Sequence, residues 1–489
     1  MNRTQLVSTF LKKGFLISPE TIENFEKELD ENSVKDIDIN EEGIILNYNK
    51  LLDSINLLKP QENLISSINL QKNNVEIIKS YNETPKKREV SDFVGYFKSR
   101  YNKLKEILQG RPELQNVVSI SRSLNKRKNE RVSLIGMVSD KRITKNKNVL
   151  LTLEDSTGQI TVLLTKGREA AKLSDEVVYD EVIGVSGILG DKILFADNLY
   201  FPEIPITKEL KKIGEEVYAA FISDIHVGSK MFLEEDFNKF IEWLNCSEGN
   251  QQQKDVASKI KYLFIVGDLI DGVGIYPEQD KELKIKEVVE QYNLCASYIS
   301  RIRKDISIII CPGNHDALRL SEPQPTLDKE FAKLLWNIPN VIMVSNPSLI
   351  NIHKTENFPG FDVLLYHGYS FDYYIANVDT IRKNGGYDRA DLIMKFLLNK
   401  RHLAPSHTST LYLPLESDPL VIDQIPDFFV SGHIHKSSIS SHNNISLICS
   451  SCWQSKTLFQ EKMGHHPEPG RVPVVNLKTR TTSLIKFCD

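Results

Sequence analysis

The spacing of apolar positions changes character along the chain. Near the start, Leu6, Phe10, Leu11, Phe15 and Leu16 recur at roughly helical intervals, and Ser18-Pro19-Glu20 reads as a helix start with proline in the first turn. The run from Asp30 to Asp38 is acidic and loop-like. Residues 1–70 are therefore expected to form a helical N-terminal module with no catalytic residues, fit for protein contacts. Residues 71–114 read as a solvated linker to about residue 90, then an amphipathic helix. Its apolar stripe is Phe93, Phe97, Tyr101, Leu104 and Leu108, with Lys98, Arg100, Lys103 and Lys105 on other faces, read as a solvated basic surface.

Over 115–205 the pattern becomes short strands. Five apolar runs, 132–138, 149–153, 160–164, 181–187 and 192–196, are mostly separated by turn residues such as Asp155-Ser-Thr-Gly158 and Gly190-Asp191. A helical insert near Glu169 to Leu173 precedes the fourth. This arrangement predicts an OB-type β-barrel. Barrels of this type grip single strands with aromatic platforms, but aromatics here are sparse and late: Tyr179, Phe195, Tyr200 and Phe201. Packing against a partner subunit is as well supported as a grip on DNA.

From 214 to 489 apolar strands alternate with helical runs, the pattern of a layered α/β domain. The whole chain is thus expected to be a multidomain α+β protein. Its composition, 40% hydrophobic and 26% charged residues among 489, is that of a globular protein, with no apolar run long enough to span a membrane. The start, Met1-Asn-Arg-Thr-Gln-Leu, lacks a signal-peptide layout, and six scattered cysteines point to a reducing cytoplasm rather than a disulfide framework. A net charge of −4 means that any binding to nucleic acid relies on local patches, divalent ions or a partner.

The chemistry gathers where the strands of the last domain end. Val217 to Ile222 stops at Asp224-Ile-His226, Phe264-Ile-Val266 at Gly267-Asp268-Leu-Ile-Asp271, and Ile308-Ile-Ile310 at Gly313-Asn314-His315-Asp316. The run ending at Tyr366 meets His367-Gly368, and the one ending at Val430 meets Gly432-His433-Ile-His435. Alone, Asp-x-His is an ordinary loop sequence. Five strand ends each carrying Asp, Asn or His are a different matter, because strand carboxyl ends in such sheets converge on one crevice. Carboxylate, carboxamide and imidazole together suit a pair of ions such as Mn²⁺, Fe²⁺ or Zn²⁺ without thiolate. Asp268 is the natural bridge, one oxygen to each ion. Asp271 reads as a turn cap outside the metal shell. His353, His402, His407 and His442 read as surface residues, His465-His466 as a solvated pair, and Cys449 with Cys452 as ordinary thiols at a strand end.

The five motifs, in this order, resemble those of the calcineurin-like metallophosphoesterase superfamily. The resemblance implies that Asp224, His226, Asp268 and His435 hold one divalent ion, and that Asp268, Asn314, His367 and His433 hold the other. It implies His315 as the general acid, paired with Asp316 or another carboxylate, and Mn²⁺ ahead of Fe²⁺, Zn²⁺ or Mg²⁺. Longer stretches, Asp224 to Phe232, Gly267 to Pro277, Pro312 to Pro325, Arg401-His-Leu-Ala-Pro405 and Met463 to Pro473, are similar to those of the archaeal D-family DNA polymerase small-subunit family. That similarity implies a 3′→5′ proofreading exonuclease in a replication complex in the archaeal cytoplasm. Its partners would be the large catalytic subunit, DNA with a single-stranded or frayed 3′ end, and the sliding clamp. Tyr369 departs from the pattern, which has a basic residue after His-Gly. The other readings are a stand-alone phosphodiesterase, which needs neither barrel nor N-terminal module, and a non-catalytic scaffold, which needs no ligands.

Overall fold

The computed structural model describes residues 74–81 and 86–488, together with Leu16–Ile17 and Ile45–Leu46, two short strands paired in parallel. The helical module expected over residues 1–70 otherwise lies outside the described residues, and Leu16, placed on its apolar stripe, is in a strand. The described residues from Asn74 onward belong to one compact unit, Asn73–Asp489.

The amphipathic helix spans Val90–Gln109 and buries Tyr96, Tyr101, Leu104 and Leu108. Its third-to-fourth residue spacing lines these side chains along one face. Arg100, expected on the solvated surface, is fully buried instead, for a reason given by its partners below.

The predicted barrel is present and closed. Its strands are Arg131–Ile143, Val149–Asp155, Gly158–Leu164, Val182–Leu189 and Ile193–Tyr200, and the short helix Glu169–Lys172 is the predicted insert. Alternation turns Leu151, Leu153, Ile160, Val162 and Leu164 inward onto a common core. Phe195, by contrast, is 43% exposed on the outer surface.

The last domain is a sandwich of two six-stranded sheets. One runs in the order Val341–Met343, Ser307–Cys311, Ile260–Val266, Tyr218–Ile222, Arg471–Asn476, Thr482–Lys486. The other runs Ser438–His442, Ile445–Cys449, Phe428–Ser431, Phe361–Leu365, Ser348–Ile352, Val75–Ser80. Inner faces meet through Phe221, Phe264, Ile309, Val363, Phe428 and Val430. Outer faces are covered by helices. Leu263 and Ile265 pack toward the Glu234–Leu244 and Val288–Ile299 helices, and Phe429 and Leu447 toward the Ala390–Lys400 helix. Burial on both faces explains why the strands read as continuous apolar runs rather than alternating ones.

Val75–Ser80 was not legible as a strand. The stretch reads as solvated linker, yet it pairs antiparallel with Ser348–Ile352 and closes one edge of the second sheet. The barrel is therefore inserted between the first strand of the sandwich and the rest of it.

The helix Val90–Gln109 is clamped to the sandwich by a buried ionic cluster. Arg100 Nε donates to Asp418 Oδ2 at 2.6 Å and Tyr96 donates to Asp418 Oδ1 at 2.7 Å. His402 Nε2 donates to Asp418 Oδ2 at 2.8 Å, while its Nδ1 accepts from the Ala404 N–H at 3.0 Å. His402 is thus buried, not on the surface as expected. His353 is also buried, between Tyr262 and Glu215. Both keep hydrogen-bond partners, the condition for burying imidazole.

Candidate metal centre

Three parallel strands of one sheet, Tyr218–Ile222, Ile260–Val266 and Ser307–Cys311, end at the same edge of the sandwich. Two parallel strands of the other sheet, Phe361–Leu365 and Phe428–Ser431, end there too. The loops leaving these ends bring all eight predicted site residues together. Their backbone is unusual: Asp224, His226, Asp268, His433 and His435 all have φ between 51° and 72°. A left-handed non-glycine residue costs of order 1 kcal/mol or more, and such residues cluster where function demands the geometry. Glycines make room around them. Gly267 has φ 86°, and a Cβ there would overlap the His367 ring. A Cβ on Gly313 would overlap Asp268 Oδ1.

Two sets of acceptors converge. His367 donates from Nδ1 to the Val266 carbonyl at 2.8 Å, which leaves the Nε2 lone pair 3.0 Å from Asn314 Oδ1 and 3.2 Å from Asp268 Oδ2. Such a bond fixes the ring and its tautomer for metal ligation. His226 Nδ1 faces Asp271 Oδ1 at 3.2 Å, and its Nε2 lies 3.0 Å from His435 Nε2 and 3.9 Å from both Asp224 Oδ1 and Asp268 Oδ2. His435 Nε2 is 3.3 Å from Asp224 Oδ1. Asp224, His226 and His435 can therefore offer ligand atoms to one ion, and Asp224, Asp268 and His367 to another. Lone pairs of nitrogen and oxygen brought so close, with no thiolate among them, need a cation or protons between them; this donor set fits divalent metal.

The electrostatics agree. Asp268 is buried, which by itself favours the neutral acid, but the His367 and His315 rings overcome this and hold its carboxyl well below the usual range. Burial opposes a charged His367, yet Asp268 and Asp224 lift it to about 10. The pocket thus attracts positive charge.

His433 stands slightly apart. Its ring centroid is 5.3 Å from that of His367, its backbone N–H donates to Asp224, and its Nε2 lies 2.9 Å from Asp372 Oδ2, leaving Nδ1 as the free nitrogen. His315 sits at the rim. Its N–H donates to Asp268 Oδ1 at 2.8 Å, Nδ1 donates to the Asp271 carbonyl at 2.7 Å, and its ring is 4.6 Å from that of His226. Asp316 does not face the His315 ring. It accepts from Gly313 N–H at 2.9 Å and Tyr292 at 3.1 Å, and burial, with Asp268 nearby, pushes it up to about 7.

The family of calcineurin-like phosphoesterases matches residues 218–437, and the OB-fold nucleic acid binding domain matches residues 132–192. The DNA polymerase II small subunit of Methanothermobacter thermautotrophicus is 41% identical over 391 residues, 79% of this chain and 78% of that one. The chain belongs to the archaeal DNA polymerase II small-subunit family. Small subunits from Methanocaldococcus jannaschii and Pyrococcus furiosus are 39% and 37% identical, over 79% and 82% of this chain. The alignments span 64% of each of those longer proteins.

Sequence reasoning missed two supports of this small-subunit site. Asp271, taken as a turn cap, accepts from Gln454 at 2.9 Å and Gln279 at 3.1 Å while facing His226. Its spacing from Asp268 was the available signal. Asp372 carried no signal, lying five residues after His367 in a helix, Phe371–Asn377. Cys449 and Cys452 are buried thiols with backbone acceptors, as expected of ordinary cysteines. Tyr369, in place of the expected basic residue, packs edge-on to His433 at 5.8 Å. Among the described residues no helix is long and apolar enough to cross a membrane.

Proposed function

We propose that this chain is the metal-dependent 3′→5′ exonuclease subunit of a D-family DNA polymerase, removing misinserted nucleotides from a frayed 3′ end handed over by the large catalytic subunit. The observation that supports the reading is the convergence of Asp224, His226, Asp268, His367 and His435 at the strand ends in a member of this polymerase family. A scaffold has no use for five strained left-handed residues holding buried carboxylates and imidazoles in one place.

Asp224, His226, Asp268 and His435 would hold one ion and Asp268, Asn314, His367 and His433 the other, with manganese the first choice. When bound, such ions would supply charge neutralisation of a phosphodiester and a water of lowered pKa. The chain's own residues do the rest. Asp271 and Val266 orient the imidazoles of His226 and His367. His315, held through Nδ1 by the Asp271 carbonyl, keeps Nε2 free to give a proton to the departing 3′-oxygen. Burial, partly offset by Asp268, holds His315 below the usual imidazole range, so the proton it gives must be kept on the ring by the negative charge of the bound phosphodiester.

The test is His315→Ala on the full chain with Mn²⁺. Cleavage of single-stranded DNA falls at least about 100-fold, the usual worth of a general acid, while bound manganese is unchanged. A nitrophenyl diester, whose leaving group needs no proton, loses far less. Loss of metal in step with activity would make His315 a ligand and refute its assignment. A wild-type chain that hydrolyses the nitrophenyl diester but no DNA would point to a small-molecule phosphodiesterase.

A further inference from the structure

Beside His315 lies an aromatic pair that the metal chemistry does not use. Tyr276 and Phe459 stack with centroids 5.0 Å apart and planes 25° from parallel, and the Tyr276 ring is 6.3 Å from that of His315. Phe459 is 40% exposed, and Leu458, its neighbour on the helix Leu458–Met463, is 62% exposed. Burying these rings elsewhere would be the ordinary outcome in a folded chain, since each aromatic side chain gains from leaving water.

The pair is rigidly tied to the catalytic centre. The Tyr276 hydroxyl donates to Glu282 Oε2 at 2.9 Å, and the other oxygen of that carboxylate, Oε1, accepts the Leu458 N–H at 2.9 Å. Glu282 is buried and so fixes the 276 loop to the start of the helix. The next residue but one in that helix, Gln460, lies with Nε2 2.9 Å from His435 Nδ1. One short helix therefore carries both a ring of the stack and a hydrogen-bond partner of a candidate ligand.

We infer that Tyr276 and Phe459 form the platform for the nucleobase next to the scissile phosphate, on the side of the leaving 3′-oxygen. The inference rests on the nuclease reading above, and the placement follows from His315, the proton donor to that oxygen, whose ring lies 6.3 Å from that of Tyr276. Every base has a π face, so such a platform recognises single-stranded DNA without sequence preference, and stacking is worth about 1–3 kcal/mol per base. It also explains how a strand end is gripped by a chain of negative net charge.

The test uses the full chain with oligonucleotides carrying 2-aminopurine, a base whose emission is quenched by stacking, at the last or the penultimate position. With chelator present and no cleavage, the penultimate probe is quenched on binding the wild-type chain. Quenching is lost in Phe459→Ala and kept in Phe459→Trp. With Mn²⁺, the wild-type preference in kcat/KM for a normal over an abasic penultimate nucleotide, about 5- to 150-fold from the stacking energy, collapses towards 1 in Phe459→Ala. Equal quenching in the wild type and Phe459→Ala, or quenching confined to the last position, overturns the platform while leaving the nuclease reading intact. Quenching without cleavage overturns the nuclease reading and leaves the platform. Manganese content, unchanged in Phe459→Ala, separates both from damage to the metal centre.

Discussion

Replacing Asp418 with asparagine isolates what holds the Val90–Gln109 helix to the sandwich. Asp418 Oδ1 accepts from Tyr96 and from the Leu420 N–H, and Oδ2 accepts from Arg100 and His402. All four partners are donors, so an asparagine amide must point its NH₂ at two of them in either orientation. The side chains of Arg100 and Asp418 are both fully buried. Removing one partner of such a pair costs about 3–5 kcal/mol, because the remaining charge has no water to turn to. Unfolding entropy is about 2 cal/mol/K per residue, so for a unit as large as Asn73–Asp489 each kcal/mol moves Tm by only about 1 °C. Asp418→Asn should therefore lower Tm by roughly 3–5 °C, read by calorimetry, with the helix edge more open to proteolysis. Pairing Arg100→Met with Asp418→Leu removes both charges and should recover part of the loss, the rest staying with Tyr96, His402 and the Leu420 N–H, which keep no acceptor there. If the single variant shifts Tm by less than 1 °C, or the double variant is the sum of two large losses, charge balance is not what holds the helix.

Three further outcomes follow. His402 is held near 4 by burial and by Arg100, against Asp418. Its unfolded form takes a proton as pH falls through about 6.5, so the stability it contributes is complete above that pH and is lost on the way down to about 4. That loss approaches about 3 kcal/mol, and His402→Gln should flatten denaturant midpoints across this window. Gly313→Ala pushes a methyl group into Asp268 and the His367 ring, and should weaken manganese binding by about 10- to 100-fold in calorimetric titration, with Tm little changed. Deleting residues 1–73 leaves the strand Val75–Ser80, whereas deleting 1–81 bares the Ser348–Ile352 edge. The first truncation should run as a discrete species in size-exclusion chromatography and the second should aggregate; matching profiles would refute a structural role for the strand.

What could be read from the sequence was local or repeated. The barrel strands announce themselves by alternation and turn residues, and the ligands by five recurrences of one pattern, an apolar strand ending in Asp, Asn or His. What could not be read depends on partners far away in the chain. Arg100 has the spacing of a surface residue, and only Asp418, 318 residues later, makes it a core residue. Val75-Glu-Ile-Ile-Lys-Ser80 is short and flanked by polar residues, so nothing local marks it as a strand until Ser348–Ile352 is beside it. Asp271 looked like a turn cap because its role is to face the back of His226, a relation between two loops that no spacing within one of them reveals.

The insertion of the barrel within the sandwich has a consequence for synthesis. Ser80 leaves the ribosome early, yet its partner Ser345, whose N–H it accepts, comes 265 residues later. At about 5–20 residues per second the Val75–Ser80 segment waits roughly 13–50 s for a sheet to join. The barrel, whose strands are all neighbours in sequence, can close during that interval. The nascent chain thus carries a finished domain beside an unpaired edge segment, and factors that shield such segments, rather than the strength of the final fold, would govern how much of it reaches the native state.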